Sequence, residues 1–300
     1  MRQIAAIRTN KWTEEEERLM NALLPVFGDD LVVVFHDRPA GVTPPLPVID
    51  LQAEWVLRQG LALVPDWGWR CGDYFYYALH AARPDYDYYW MVEPDVHFTG
   101  PAQTFFEPMQ QACEDALGFQ LGPFNEDIRF ARGLPGMAHY RAIFALTRFS
   151  GRALGRLLAL RQKMAEGHIS MRDYPNDELF CFSHIAAMPE LAYGCLETYA
   201  PEWFEGAQFT PNPDLLYDVV VGQASAGKLM HPVRSRANFK RAVAKRLAAN
   251  SGFLIRMRQA LDQLSDEDVE EIVAETSAHL RGTFVTLRRQ RALQRHRGRQ

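Results

Sequence analysis

The stretch YYWMVEPDVHFTG, Tyr88 to Gly100, ends an apolar run in two acids, Glu93 and Asp95, with Pro94 between them. Two carboxylates held side by side repel unless a proton or a cation lies between them. Sites built from oxygen alone suit Mg²⁺ or Mn²⁺, which keep water and phosphate among their ligands. In an extended segment, positions 93 and 95 project to the same side. The spacing therefore points to a divalent ion that joins the protein to a phosphorylated substrate. Glu-Pro-Asp is equally an ordinary surface turn, and the residue types alone leave both readings open.

A second pair of acids, Asp177 and Glu178, follows Asn176 in YPNDELF. Asn is a common N-cap, and acids in a first turn suit the positive end of a helix dipole. Such acids can also take a proton from a hydroxyl. His231, in KLMHPVRS, is by default a structural histidine, as are His36, His97 and His184. His97 stands close enough to the first acid pair to line a site there. Trp67 and Trp69 flank Gly68 just before Arg70, where an indole either plugs a core or stacks on a sugar ring. No G-x-x-x-x-G-K-[ST] is present, and no G-x-G-x-x-G follows IAAI, so a P-loop and a dinucleotide-binding fingerprint are excluded.

Strands and helices must position these residues. Ile4–Ile7 and Leu31–Asp37 are continuous apolar runs, the pattern of buried parallel strands. Between them Thr13 and Glu16 form a capping box that opens a helix. Its face carries Leu19, Leu23 and Leu24, and its end falls near Pro25–Gly28. A β-α-β unit within about forty residues favours a parallel sheet with crossover helices. The segment 38–50 reads as a Pro-rich loop, 50–60 as a short helix, and Ala62–Asp66 as a third short strand. Gly72–Ala82 is an expected helix, and Asp87–Val92 is the strand that delivers Glu93. Helical stretches are expected around Thr104–Leu117, strands at Gly118–Gly122 and Ala142–Leu146, and helices from Ser150 and Asp177. Beyond Ser235, Gly and Pro nearly vanish and helical periodicity dominates. The expected organisation is an α/β domain over residues 1–234 and a helical extension over 235–300.

The chain has 300 residues, 47% of them apolar, enough for a large core. Its last twenty residues hold seven arginines and no acid, so the other 280 carry about −11 against −4 for the whole. A basic tail on an acidic body fits an anionic partner or simply a solvated helix. Helical spacing groups Phe284 with Leu287, beside a strip of Arg288, Arg291 and Arg295, which would allow weak contact with an anionic membrane surface. Cys71, Cys113, Cys181 and Cys195 show no C-x-x-C spacing and read as free thiols. MRQIAAIRTNKW is no signal peptide, and no run reaches the roughly 20 apolar residues of a membrane helix. The expectation is a cytoplasmic protein, with peripheral attachment to the inner membrane face left open.

The acid stretch resembles the D-x-D region of glycosyltransferases of the GT-A fold, in which a hydrophobic strand ends in paired acids. Here the pair is Glu93-Pro94-Asp95, an E-x-D variant. IAAIRTNKW is similar to the first strand and loop of that fold, GWRCGDYFYYAL to the segment ahead of the acids, and KLMHPVRS to a late histidine segment. The resemblance covers residues 1–232 and rests on the order of these segments. It implies a GT-A-like, mostly parallel sheet with flanking helices. It places Arg8, Thr9 and Asn10 near the base or ribose of a nucleotide, Arg70 and Arg234 near its phosphates, and Asp73 near a ribose or sugar hydroxyl. It makes His231 a third ligand, after Glu93 and Asp95, to Mn²⁺ or Mg²⁺.

In inverting enzymes of this kind a late acid takes the acceptor's proton, which implies Asp177, ahead of Glu178, as the base. The implied activity is transfer of a sugar from a nucleotide-diphosphate sugar to a hydroxyl of a carbohydrate or lipid-linked acceptor, with no nucleic-acid partner. Two other activities fit the same residues. One is a nucleotide-sugar-binding protein without turnover. The other is a nucleotidyltransferase, for which an early Gly-rich, basic triphosphate loop is lacking.

Overall fold

A computed structural model describes residues 1–167, 169–223, 227–249 and 261–297, with side chains for all of these except 223, 247–249, 284 and 287–297. The chain divides into two compact units, Met1–Phe209 with Ser225–Met230, and Thr210–Ala224 with His231–Gln300.

In the first unit the two-residue period of the strands sorts side chains into two cores. Strand β1 (Gln3–Thr9) sends Ile4 and Ala6 to one face and Ala5 and Ile7 to the other. β2 (Leu31–His36) and β4 (Tyr88–Val92) divide in the same way, with Val32, Val34, Tyr89 and Met91 on the first face and Leu31, Trp90 and Val92 on the second. Both faces are covered, which is why these runs are apolar at every position rather than at alternate ones. The first face is packed by helices α4 (Asp73–Ala82), α6 (Gly151–Glu166) and α7 (Asp177–Ala186), and the second by α1 (Glu14–Phe27) and α5 (Ala102–Phe106).

The sheet has seven strands in the order β3-β2-β1-β4-β7-β6-β8, with β3 at Val48–Leu51, β6 at Ala116–Pro123, β7 at Tyr140–Ser150 and β8 at Tyr193–Cys195. Only β7 runs against its neighbours. Successive strands step outward from β1 to β3, and the chain then returns to the other side of β1 with β4. The C-terminal ends of β1 and β4 therefore flank the point where the strand order reverses, the usual ligand crevice of an open α/β sheet. A two-residue strand β5 (His97–Phe98) pairs with Leu229–Met230. The α/β architecture with a mostly parallel sheet matches the expectation.

Local signals explain most of the elements. The Glu16 carboxylate accepts the Thr13 N–H at 2.8 Å and Thr13 Oγ1 accepts the Glu15 N–H, so the capping box forms as the sequence suggests. Leu19 and Leu23 are buried, at roughly 1.5–3 kcal/mol each, while Leu24 faces outward. Three expectations fail. Ala62–Asp66 is irregular rather than a strand, although Leu61, Ala62 and Val64 are buried and so still carry the apolar signal. The Pro-rich segment hides β3, whose ladder to β2 is supplemented by a two-pronged bond from Arg38 to Asp50 at 2.8 and 2.7 Å. The stretch from Thr104 is helical only to Phe106 with one 3₁₀ turn after it, and the chain is already strand at Ala116.

The second unit has its own small core, in which Leu216, Phe239, Val243, Ala244 and Ile272 join the helices Arg236–Ala249 and Asp266–Arg297. Asp268 accepts from Arg236, Lys240 and the Ser265 N–H, and Ser265 Oγ accepts the Asp268 N–H in return. The tail residues singled out above, Phe284, Leu287, Arg288, Arg291 and Arg295, lie outside the described side chains. Among the described residues no helix is long and apolar enough to cross a membrane. All four cysteines are free.

Candidate functional site

Pairing of β1 with β4 aligns Ile7 with Val92, so Arg8 and Glu93 are the next residues on neighbouring strands. Arg8 follows Ile4 and Ala6 toward the face covered by α4 and α7. There its Nη1 lies 3.0 Å from Glu93 Oε1 and 3.4 Å from Asp177 Oδ2. Its Nη2 donates to the carbonyls of Gly68 at 3.1 Å and Trp69 at 2.9 Å. Burial alone would lower the Arg8 pKa, but Glu93, Asp177 and Asp73 outweigh it and raise the value. The cation therefore stays charged inside the protein because carboxylates surround it.

Glu93 and Asp95 do not occupy an extended segment. The Val96 N–H donates to the Glu93 carbonyl at 3.0 Å, which makes Glu93–Val96 a tight turn with Pro94 at its second position, where proline is favoured. The alternation argument for a shared side thus fails, yet the turn brings one oxygen of each acid within 4.8 Å of the other. Asp95 is buried and Glu93 partly exposed. Two hard oxygen donors at this separation fit a small divalent ion better than they fit each other.

Asp177 opens α7 behind its N-cap, Asn176, whose side chain accepts the Leu179 N–H. Its two oxygens accept the N–H groups of Gly72 and Glu178, both at 2.8 Å. Burial pushes its carboxyl up to about 7; Arg8 opposes this, and Glu178, Asp73 and Glu93 add to it. Glu178 is less enclosed. Burial raises its pKa as well, against Arg141 and with Glu93. The structure thus brings Arg8, Glu93, Asp95, Asp177 and Glu178 to one end of the sheet.

Other expected site residues have different partners. The Thr9 hydroxyl donates to Glu16 Oε1 at 2.8 Å and so ties the end of β1 to the start of α1. Asn10 is exposed in the loop that follows. The Arg70 guanidinium donates to the carbonyls of Met171, Arg172 and Tyr174 at 2.7, 2.8 and 2.5 Å. It anchors the loop ahead of α7, and those nitrogens are not turned to a phosphate. Asp73 is 1% exposed and takes both prongs of the buried Arg161 at 2.7 and 3.1 Å, plus the Tyr77 hydroxyl. It braces α4 against α6, a role for which a buried carboxylate needs a full set of donors.

His231 and Arg234 belong to the second unit. Arg234 pairs with Asp214 at 3.0 Å. His231 Nδ1 lies 2.9 Å from the Thr210 carbonyl, which can only accept, so Nδ1 donates there. Metal-ligating imidazoles usually make a bond of this kind with their other nitrogen.

Sequence reasoning missed Gly72. A Cβ there would fall 2.1 Å from Arg8 Nη1 and 2.3 Å from Asp177 Oδ2, so only glycine lets the first turn of α4 approach this ion pair. The available signal was a glycine immediately ahead of a helix in the cluster WRCGD.

No protein-family model matches the chain, and no curated protein does. Solved structures give distant likenesses. The galactosyltransferase LgtC, in complex with donor and acceptor sugar analogs, is 10% identical over 74% of this chain and 78% of its own, at a TM-score of 0.39. A glycosyltransferase involved in glycosylating the major capsid of PBCV-1 is 9% identical over 76% and 92%, at 0.36. A glucose-1-phosphate thymidylyltransferase from Bacillus anthracis is 10% identical over 64% and 86%, at 0.37. Overlaps this partial carry no argument about chemistry, which has to come from the chain's own residues.

Proposed function

We propose that the protein is a divalent-metal-dependent glycosyltransferase that moves a sugar from a nucleotide-diphosphate sugar to an acceptor hydroxyl. The observation that carries this reading is the acid turn, Glu93 to Val96, at the strand-order reversal, linked through Arg8 to the acids that open α7. Glu93 and Asp95 would hold Mn²⁺ or Mg²⁺. His231 would be the third ligand, on the resemblance of KLMHPVRS to a late histidine segment. The ion, when bound, supplies Lewis-acid charge to the leaving diphosphate.

In the transfer itself the acceptor oxygen bonds to the anomeric carbon, the bond from that carbon to the diphosphate breaks, and the acceptor's proton passes to a carboxylate. Both acids of that first turn already accept hydrogen bonds, Asp177 from the Gly72 and Glu178 N–H groups and Glu178 from Asn176 and Phe144, so it is the greater exposure of Glu178 that makes it the better placed of the two to receive it. Asp177 then orients that turn. Asn10, exposed after β1, is a donor-side contact. The acceptor class is a carbohydrate, free or lipid-linked.

The test is a thermal-shift panel of UDP, GDP, CMP and dTDP sugars with and without Mn²⁺, followed by a transfer assay with the sugar that binds. A ligand at 100 times its Kd stabilises the folded state by about 2.7 kcal/mol. A rise in Tm with one donor, dependent on Mn²⁺ and lost in Asp95→Ala, is expected. No rise with any donor sinks the reading, and binding without transfer selects the non-catalytic alternative.

A further inference from the structure

Arg8 touches both of the acid groups that the proposed chemistry needs. Its Nη1 is shared between Glu93 Oε1 at 3.0 Å and Asp177 Oδ2 at 3.4 Å. The guanidinium has little freedom to follow either one. Its Nη2 is tied to the carbonyls of Gly68 and Trp69, its carbon lies 4.8 Å from the centre of the Phe75 ring, and the side chain is 7% exposed. Gly72 closes the remaining side, where a methyl would collide with Nη1. One fixed cation therefore divides its charge between two carboxylates that approach it from different elements, the end of β4 and the start of α7.

We infer that Arg8 is a positioning residue that couples cation uptake at Glu93 and Asp95 to the charge on Asp177. This rests on the reading of Glu93 and Asp95 as ligands. A divalent ion draws the Glu93 carboxylate away from Arg8, and the freed charge of Arg8 then falls on Asp177. Coupling of this kind is reciprocal: what Asp177 contributes to ion affinity equals what the ion contributes to holding Asp177 as an anion. An anionic Asp177 competes for Arg8, loosens its hold on Glu93 and favours the ion. Removing that charge leaves Arg8 wholly to Glu93 and disfavours the ion. The start of α7 would then be set for acceptor chemistry only when the ion is in place.

The experiment is a double-mutant cycle read by the affinity for Mn²⁺ alone, from the loss of the free-ion electron paramagnetic resonance signal, on the full chain at pH 8.5. The variants are Asp177→Asn, Arg8→Met and the two combined. Asp177→Asn should weaken Mn²⁺ binding at least fivefold in the wild-type background and less than twofold beside Arg8→Met. If Arg8→Met does not fold, Arg8→Lys takes its place. Lysine keeps the charge but has no planar fork to span two carboxylates and two carbonyls, so the effect of Asp177→Asn should again shrink. An equal effect of Asp177→Asn in both backgrounds means that its charge acts directly through space, and the coupling is refuted. Absence of Mn²⁺ binding in the wild type overturns the metal reading and this inference with it. Binding by the wild type without coupling overturns the inference alone.

Discussion

Replacing Asp177 with Asn should stabilise the first unit increasingly as pH rises. Burial and neighbouring acids hold this carboxyl at about 7 in the folded protein, against an ordinary 3.8. Roughly three pH units separate those values, and at ~1.4 kcal/mol per unit the full difference is ~4 kcal/mol. The sign follows from proton uptake. A group whose folded pKa is raised contributes its stability fully below the unfolded value, and that contribution is lost as pH climbs through the folded one. The wild type therefore weakens between about pH 4 and pH 7 through this residue, while the Asn variant, neutral throughout, does not. Any fixed cost of the amide, such as a poorer bond to the Glu178 N–H, shifts the difference by a constant and leaves its slope intact.

The assay is urea unfolding of both proteins in EDTA at pH 4.5, 6, 7 and 8, followed by tryptophan fluorescence. All six tryptophans lie in the first unit, so the signal reports that unit and not the other. The stability of the variant relative to wild type should rise by ~3 kcal/mol from pH 4.5 to 7 and then level off. The neighbouring Glu178 charge adds to the shift and broadens the slope without changing its sign. A difference independent of pH would refute the raised value. A slope of opposite sign would mean that Arg8, the Gly72 N–H and the helix N-terminus together outweigh burial.

Other perturbations separate structural from functional acids. Asp73→Ala strands the Arg161 guanidinium, whose side chain is 0% exposed, and should cost ~3–5 kcal/mol in the same urea assay; a loss below about 1 kcal/mol would contradict the buried pair. Gly72→Ala should cost ~1–3 kcal/mol, as overpacking does, and should extend the pH-dependent loss of stability to higher pH, because pushing Arg8 away from Asp177 removes the charge that opposes the raised carboxyl. Thr13→Ala removes a working N-cap and should cost ~1 kcal/mol without altering Mn²⁺ affinity.

The elements that carry the site were legible because each has a short-range cause. β1, β2 and β4 are apolar at every position because both faces are covered, and α1 and α7 begin at side chains that cap them. β3 was not legible, since its four residues are held by pairing with β2 and by Arg38, and its own pattern is only partly buried. The strand expected at Ala62–Asp66 failed for the complementary reason: apolar residues can enter a core from an irregular segment. The same-side argument for Glu93 and Asp95 is overridden by the turn at Pro94, which brings their oxygens near each other by another route. The bonds of Arg70 and Asp73 were not legible because a sequence shows a charge and not its partner, and both partners lie about 90 to 100 residues away in the chain.

The partners of the arginines bear on what the site needs. Arg8 is divided between two acids, and Arg70 is bonded to three carbonyls of the loop ahead of α7. Around the end of β4, Glu93 and Asp177 meet Arg8, Glu178 senses Arg141, and Asp95 lies beside Glu93. At a pH high enough to ionise Asp177 and Glu178, four carboxylates against two guanidinium groups repel a nucleoside diphosphate, whatever its base and ribose contribute. A divalent ion reverses that sign locally while leaving the acids in place. On this arithmetic nucleotide binding should depend on the ion more steeply than in a site rich in free lysine or arginine. The affinity for UDP or GDP, whichever binds, should fall at least tenfold when EDTA replaces Mn²⁺ in calorimetry. Affinity that survives EDTA would mean that cations outside this cluster hold the diphosphate, and the acid turn would then be a turn and nothing more.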